Sequence, residues 1–160
     1  MDRARLRHFT MYLAVLTAIL WMSSISRQFV LAPPYAVSAY LLTFERDTKF
    51  SRRSGFVASY LFAVASSEAL HAIVGSSELA MSANIVLVSM FVAMTRYCHP
   101  PAIALTIFSY LVYRDLPFVV TSLAVIALVL AASFAEDLLM HSSGSGHVAP
   151  EVDGRREVQA

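Results

Sequence analysis

The sequence predicts an all-α, multi-pass transmembrane helical bundle. Three observations carry that prediction. Hydrophobic residues make up 58% of the 160-residue chain, and its mean hydropathy is +0.63. Charged residues are only 14%, against about a quarter in soluble domains, so a soluble domain of this size could not hide its apolar surface. The apolar residues also fall in separated stretches, several near the length of about 20 residues that a helix needs to cross the hydrocarbon. Net charge is +1, and no basic cluster alternates with aromatics, which argues against a nucleic-acid partner. The partner implied is the lipid bilayer. A single cysteine, Cys98, excludes an internal disulfide framework and reads as a small apolar packing residue.

The elements follow in order. Residues 1–8 form a basic N-terminus with Arg3, Arg5 and Arg7. Residues 9–26 are the first span. This start resembles a signal peptide, but "SSISR" is a poor small-x-small cleavage site and apolar residues resume at Phe29, so a signal-anchor helix is the better reading. Residues 32–44, "APPYAVSAYLLTF", are short, covering only about 20 Å as a helix. The polar loop "ERDTKFSRRSG" follows. Residues 55–75 make a full span, "SSELAMS" a turn, and residues 84–98 the next span, with a start as early as Leu79 open. Residues 99–113 are a second short apolar stretch, ended by Arg114-Asp115, and residues 116–135 the last span. The membrane domain thus covers 9–141, and the Ser/Gly-rich, charged stretch 142–160 is expected to be a disordered tail.

Lysines and arginines set the topology. With the N-terminus in the cytoplasm of a cell-membrane protein, a crossing at 32–44 keeps Arg46, Lys49, Arg52 and Arg53 on the same side as Arg3, Arg5 and Arg7. The short segment is therefore read as crossing, with local thinning or tilt. If 99–113 dips in and returns, there are five spans; if it crosses, there are six. Five is the count adopted, and charge bias does not choose between them.

Sliding the chain 68 positions along itself matches Pro33 with Pro101, Arg46-Asp47 with Arg114-Asp115, Phe50 with Phe118, Glu68 with Glu136 and Leu70 with Leu138. Each half reads long helix, proline break, short apolar segment, Arg-Asp, long helix. An odd number of crossings per half inverts one half relative to the other. Inverted repeats with short, proline-interrupted segments in matching places are a transporter pattern.

The candidate site follows from those breaks. Proline lacks an amide hydrogen and excludes the preceding turn, so "CHPP" must end the helix before it. Helix ends in lipid need partners or a water-lined cavity, and a helix N-terminus suits an anion. His99 beside Pro100 and Pro101, with Pro33, Pro34 and Ser38 at the matching break, is the candidate small-anion site. The bland alternative has His99 capping a helix end at the interface. Glu68 and His71 lie three apart on one helix face, near the outer end of their span. They read either as an interfacial pair or as proton-coupling groups. No zinc spacing, glycine-rich phosphate loop or Gly-x-Ser-x-Gly nucleophile is present, so no metal, cofactor or enzymatic role is expected. Small residues from Ala58 to Ala69 read as helix packing.

"TRYCHPPAIALT", followed by a short apolar stretch and a terminal span, resembles the HPP family of integral membrane proteins, named for the motif at His99, Pro100 and Pro101. "AVSAYLLTF" before a polar loop with Arg53 is similar to the family's Gly-Ala-Ser-Ala segment and Pro-Arg-Asn loop. The resemblance covers about residues 30–138 and implies a core of four transmembrane helices, with 9–26 additional. It implies transport, since plant chloroplast members are linked to nitrite. The chain departs from the pattern: Ile103-Ala104-Leu105-Thr106 stands for Gly-Ala-Thr-Ala, Ala36-Val37-Ser38-Ala39 for Gly-Ala-Ser-Ala, Ser54 for the loop asparagine, and Ala58 and Ser59 for glycines. Lost glycines leave less room for a ligand near the backbone. The expectation is a transporter or channel for a small anion such as nitrite, working as a homo-oligomer. The alternative is a non-transporting structural or assembly subunit of a membrane complex.

Overall fold

The computed structural model describes residues 3–111 and 115–144; Arg114 and the tail beyond residue 144 lie outside it. Among the described residues the chain forms six α-helices and no strand: α1 (Arg3–Ile25), α2 (Ala32–Phe44), α3 (Arg53–Val74), α4 (Glu78–Met94), α5 (Pro101–Leu111) and α6 (Asp115–Gly144). Single 3-10 turns at Phe29–Leu31 and Lys49–Ser51 lead into α2 and α3. The surface is apolar: Trp21, Val86, Met90, Val120 and Phe134 are all exposed. A soluble monomer rarely exposes contiguous apolar patches on that scale, and lipid is the solvent that suits such a surface.

Three helices are long and apolar enough to cross a membrane: Arg5–Ile25, Arg53–Val74 and Leu116–Leu139. The others are shorter. α2 has the bounds read from the sequence. α4 begins earlier, because the Ser77 side chain accepts from the Ala80 amide at 3.1 Å and caps it. It also ends earlier, at Met94 rather than Cys98. Residues 95–98 are instead laid along α3, where the Ser59 hydroxyl donates to the Tyr97 carbonyl at 2.5 Å and Gly55 faces the Tyr97–Cys98 backbone. α1 starts at Arg3, so Arg5 and Arg7 ride on its first turns rather than on a separate tail. α3 stops at Gly75, whose φ of 80° few other residues adopt and whose amide donates to the His71 carbonyl at 3.0 Å.

Side-chain contacts fix the direction of each helix. His8 of α1 bonds Glu136 of α6, Arg46 after α2 reaches Asp137 at 2.8 Å, and Arg53 of α3 donates to Ser133 at 2.7 Å. These groups therefore share one end of the bundle. α5 runs away from that end: His99, just before it, meets Ser38, while Ser109 donates to Ser67 at 3.0 Å and Tyr110 stacks on His71 at 4.1 Å. The segment whose path charge bias left open thus passes along α3, antiparallel to α4, and does not loop back. The six helices alternate in direction.

The packing bears out the repeat. Exchange α1 with α4, α2 with α5 and α3 with α6, and every substantial helix–helix contact maps onto another: α1–α2 onto α4–α5, α3–α4 onto α6–α1, α3–α5 onto α6–α2, while α2–α5 and α3–α6 map onto themselves. Each half's third helix packs on the other half's first two. The short helices α2 and α5 pack on each other, and each packs on the other half's third helix and on its own half's first.

Candidate functional site

The break before α5 places His99 inside the protein, fully buried. Its Nδ1 donates to the Phe50 carbonyl at 2.6 Å. Its Nε2 lies 2.8 Å from the Ser38 hydroxyl of α2. Ser38 lies 2.7 Å from the Tyr60 hydroxyl of α3, and Tyr60 donates to the Pro34 carbonyl at 2.8 Å. With Nδ1 protonated, a neutral ring accepts at Nε2 from Ser38 and leaves the Pro34 carbonyl to Tyr60. Phe56 sets its ring edge-on to the imidazole at 5.3 Å, and Tyr35 stacks on Tyr60 at 4.8 Å. Four segments distant in sequence therefore hold one polar group. Such groups are costly in an apolar bundle unless their hydrogen bonds are complete.

A second polar group lies two turns further along α3, about 10 Å away at 1.5 Å per residue. The Asn84 amide of α4 and the Ser109 hydroxyl of α5 both donate to the Ser67 hydroxyl at 3.0 Å. Ser109 also lies 2.7 Å from the Thr106 carbonyl. His71 is buried, and its Nδ1 donates to the Ser67 carbonyl at 2.7 Å. Glu68 is half-buried beside this group on α3. Residues 60, 67 and 71 share one face of α3, so the two histidines mark the two ends of one buried polar strip.

The sequence-named residues divide accordingly. His99, Ser38 and the Pro34 carbonyl come together. Pro33, Pro34, Pro100 and Pro101 also come together, as walls of an apolar groove of about 480 Å³ between α2 and α5, with Pro33 and Pro100 exposed. At the start of α5 the Ala102 and Ile103 amides already bond His99 and Pro100 carbonyls at 3.2 and 3.0 Å. Glu68 and His71 sit at the far end of the strip, away from His99.

Other residues were not singled out in the sequence. Tyr60 links Ser38 to Pro34, and Asn84 and Ser109 complete the second group, while Ser59, read from the sequence only as packing in place of a glycine, pins the link that carries His99. A tyrosine or serine in an apolar helix reads as packing, and only the fold shows which face it takes. The ion network at the bundle end was also missed as a network. Arg46 bridges Glu136 and Asp137, Arg53 reaches Asp137 and the Ser133 carbonyl, and His8 bonds Glu136. The 68-residue offset had flagged Arg46 and Glu136 separately. Beside this network a hollow of about 430 Å³ is lined by Arg46, Arg52, Arg53, Ser51, Ser54 and Ser133.

No curated protein and no solved structure matches the chain. One family does: the HPP transmembrane region, over residues 2–143. That match takes in α1 as well as the five helices after it, so the whole described bundle is the family's unit. The chain is therefore an integral membrane protein belonging to the HPP family.

Proposed function

We propose that this protein is a transporter or channel for a small anion such as nitrite. The observation that carries the reading is the buried strip along α3 between His99 and His71. It presents hydroxyls of Ser38, Tyr60, Ser67 and Ser109, the Asn84 amide and two imidazoles. Intramembrane polar groups of this kind face bundle interiors and mark pathways. A strip made mostly of hydroxyl, amide and imidazole groups suits an anion, with the Glu68 carboxylate beside its His71 end. The arginine-lined hollow at one end supports the same sign of charge. In this reading His99 and Ser38, held by the backbone of the Pro33-Pro34 and Pro100-Pro101 breaks, form the substrate region, and Glu68 and His71 couple protons. The N-terminus is cytoplasmic, as the arginines at that end favour, the membrane is the cell membrane, and the working unit is a homo-oligomer.

A second reading, an assembly subunit that does not transport, is favoured by one observation: both nitrogens of His99 already hold protein partners. Proteoliposomes containing only this protein separate the two. Nitrite, nitrate, formate and chloride are offered in turn with an internal pH-sensitive dye. Selective flux, lost in His99→Ala, supports transport. Unchanged flux in that variant makes His99 structural, and no flux from folded protein favours the subunit reading.

A further inference from the structure

We propose that the groove between α2 and α5 binds an anionic membrane lipid, one acyl chain in the groove and the phosphate headgroup at Lys49. The groove's volume, about 480 Å³, lies in the range of about 300–1,000 Å³ typical of small-ligand sites. Its walls are carbon: Pro33, Pro34 and Val37 on one side, Pro101 and Phe108 on the other, with Phe50 beside the start of α5. Pro33 and Val37 face outward, so the groove opens to lipid and not to the polar strip. At the Phe50 end the Lys49 ammonium sits over the Phe50 ring, 5.1 Å from its centre. Lys49 is exposed and forms no ion pair among the described residues. A cation at one end of an apolar slot is the complement of a phospholipid with a negative headgroup.

The site is tied to His99 through the backbone. Phe50 and Pro34 turn their non-polar surfaces to the groove while their carbonyls accept from His99 and Tyr60. Pro100 and Pro101 follow His99 directly. A lipid chain in the groove therefore backs the segments that hold the imidazole. This proposal does not depend on whether anions cross.

Native mass spectrometry of the full chain in neutral detergent tests it, with equal dioleoyl phosphatidylglycerol and dioleoyl phosphatidylcholine. The expected result is one retained phosphatidylglycerol, preferred over phosphatidylcholine. Lys49→Ala should cut that preference about fivefold, the effect of one surface cation. Ala104→Phe should fill the groove and lower retention of both lipids, with helix content checked by circular dichroism. Lys49 is on the surface, so its variant decides the question even if Ala104→Phe does not fold. Equal retention of the two lipids by the wild type, or a preference unchanged in Lys49→Ala, overturns the proposal. So does a dimer that Ala104→Phe dissociates, because the groove would then hold a second copy of the chain.

Discussion

At the scale of single residues, the His99 group makes sharp demands. Tyr60→Phe removes one donor to the Pro34 carbonyl, which the Ser38 hydroxyl also reaches at 2.9 Å. It should lower stability by about 0.5–1.5 kcal/mol, the net worth of one hydrogen bond, read by denaturant unfolding in detergent. His99→Ala should cost more than Tyr60→Phe, because it strands the Phe50 carbonyl and opens a cavity in a fully packed place. Equal midpoints for the two variants would contradict the network. The sequence made His99, Ser38 and the prolines visible because breakers and titratable rings are rare in apolar runs. It did not show that the histidine faces inward while Pro33 and Pro100 face outward. That division depends on the two short helices lying side by side, and nothing local encodes it.

At the scale of elements, helix ends carry the information. Arg27 after α1 has a φ of 55°, in the left-handed region that glycine takes without strain. Arg27→Gly should raise stability by about 1 kcal/mol, seen as a higher unfolding midpoint. At the opposite end of the bundle Glu136 is almost fully buried between His8 and Arg46. Removing one partner of a buried pair costs about 3–5 kcal/mol. Arg46 keeps 30% of its side-chain surface exposed, so Glu136→Ala should cost less, about 2 kcal/mol, in the same unfolding measurement. Helix existence was readable from apolar runs, and α2 was read to the residue. The end of α4 was not, because proline marks where a helix cannot continue, whereas Ser59 and Gly55 on another helix decide where this one stops.

At the scale of the whole molecule, the inverted repeat was legible as an order of elements and hardly at all as letters. The matched prolines and Arg-Asp pairs pointed to it, and the exchange of helix contacts between halves shows it. Six alternating helices bring the start of α1 and the end of α6 to the same end of the bundle. Tags fused at residue 1 and after the last residue should therefore react with an impermeant label from the same side of sealed vesicles. Labelling from opposite sides would require one helix fewer across the membrane.

The hydrogen bond between Ser38 and His99 joins residues 61 positions apart. Synthesis sets a clock on it. At about 5–20 residues per second, His99 is made roughly 3–12 s after Ser38. Until then α2, too short to span comfortably alone, has no imidazole to complete its polar side. Its hydroxyl can meet only the Pro34 carbonyl and, 22 residues later, Tyr60. The first half of the chain must therefore wait in the membrane with its centre unfinished, and the motif that names the family arrives as the piece that closes it.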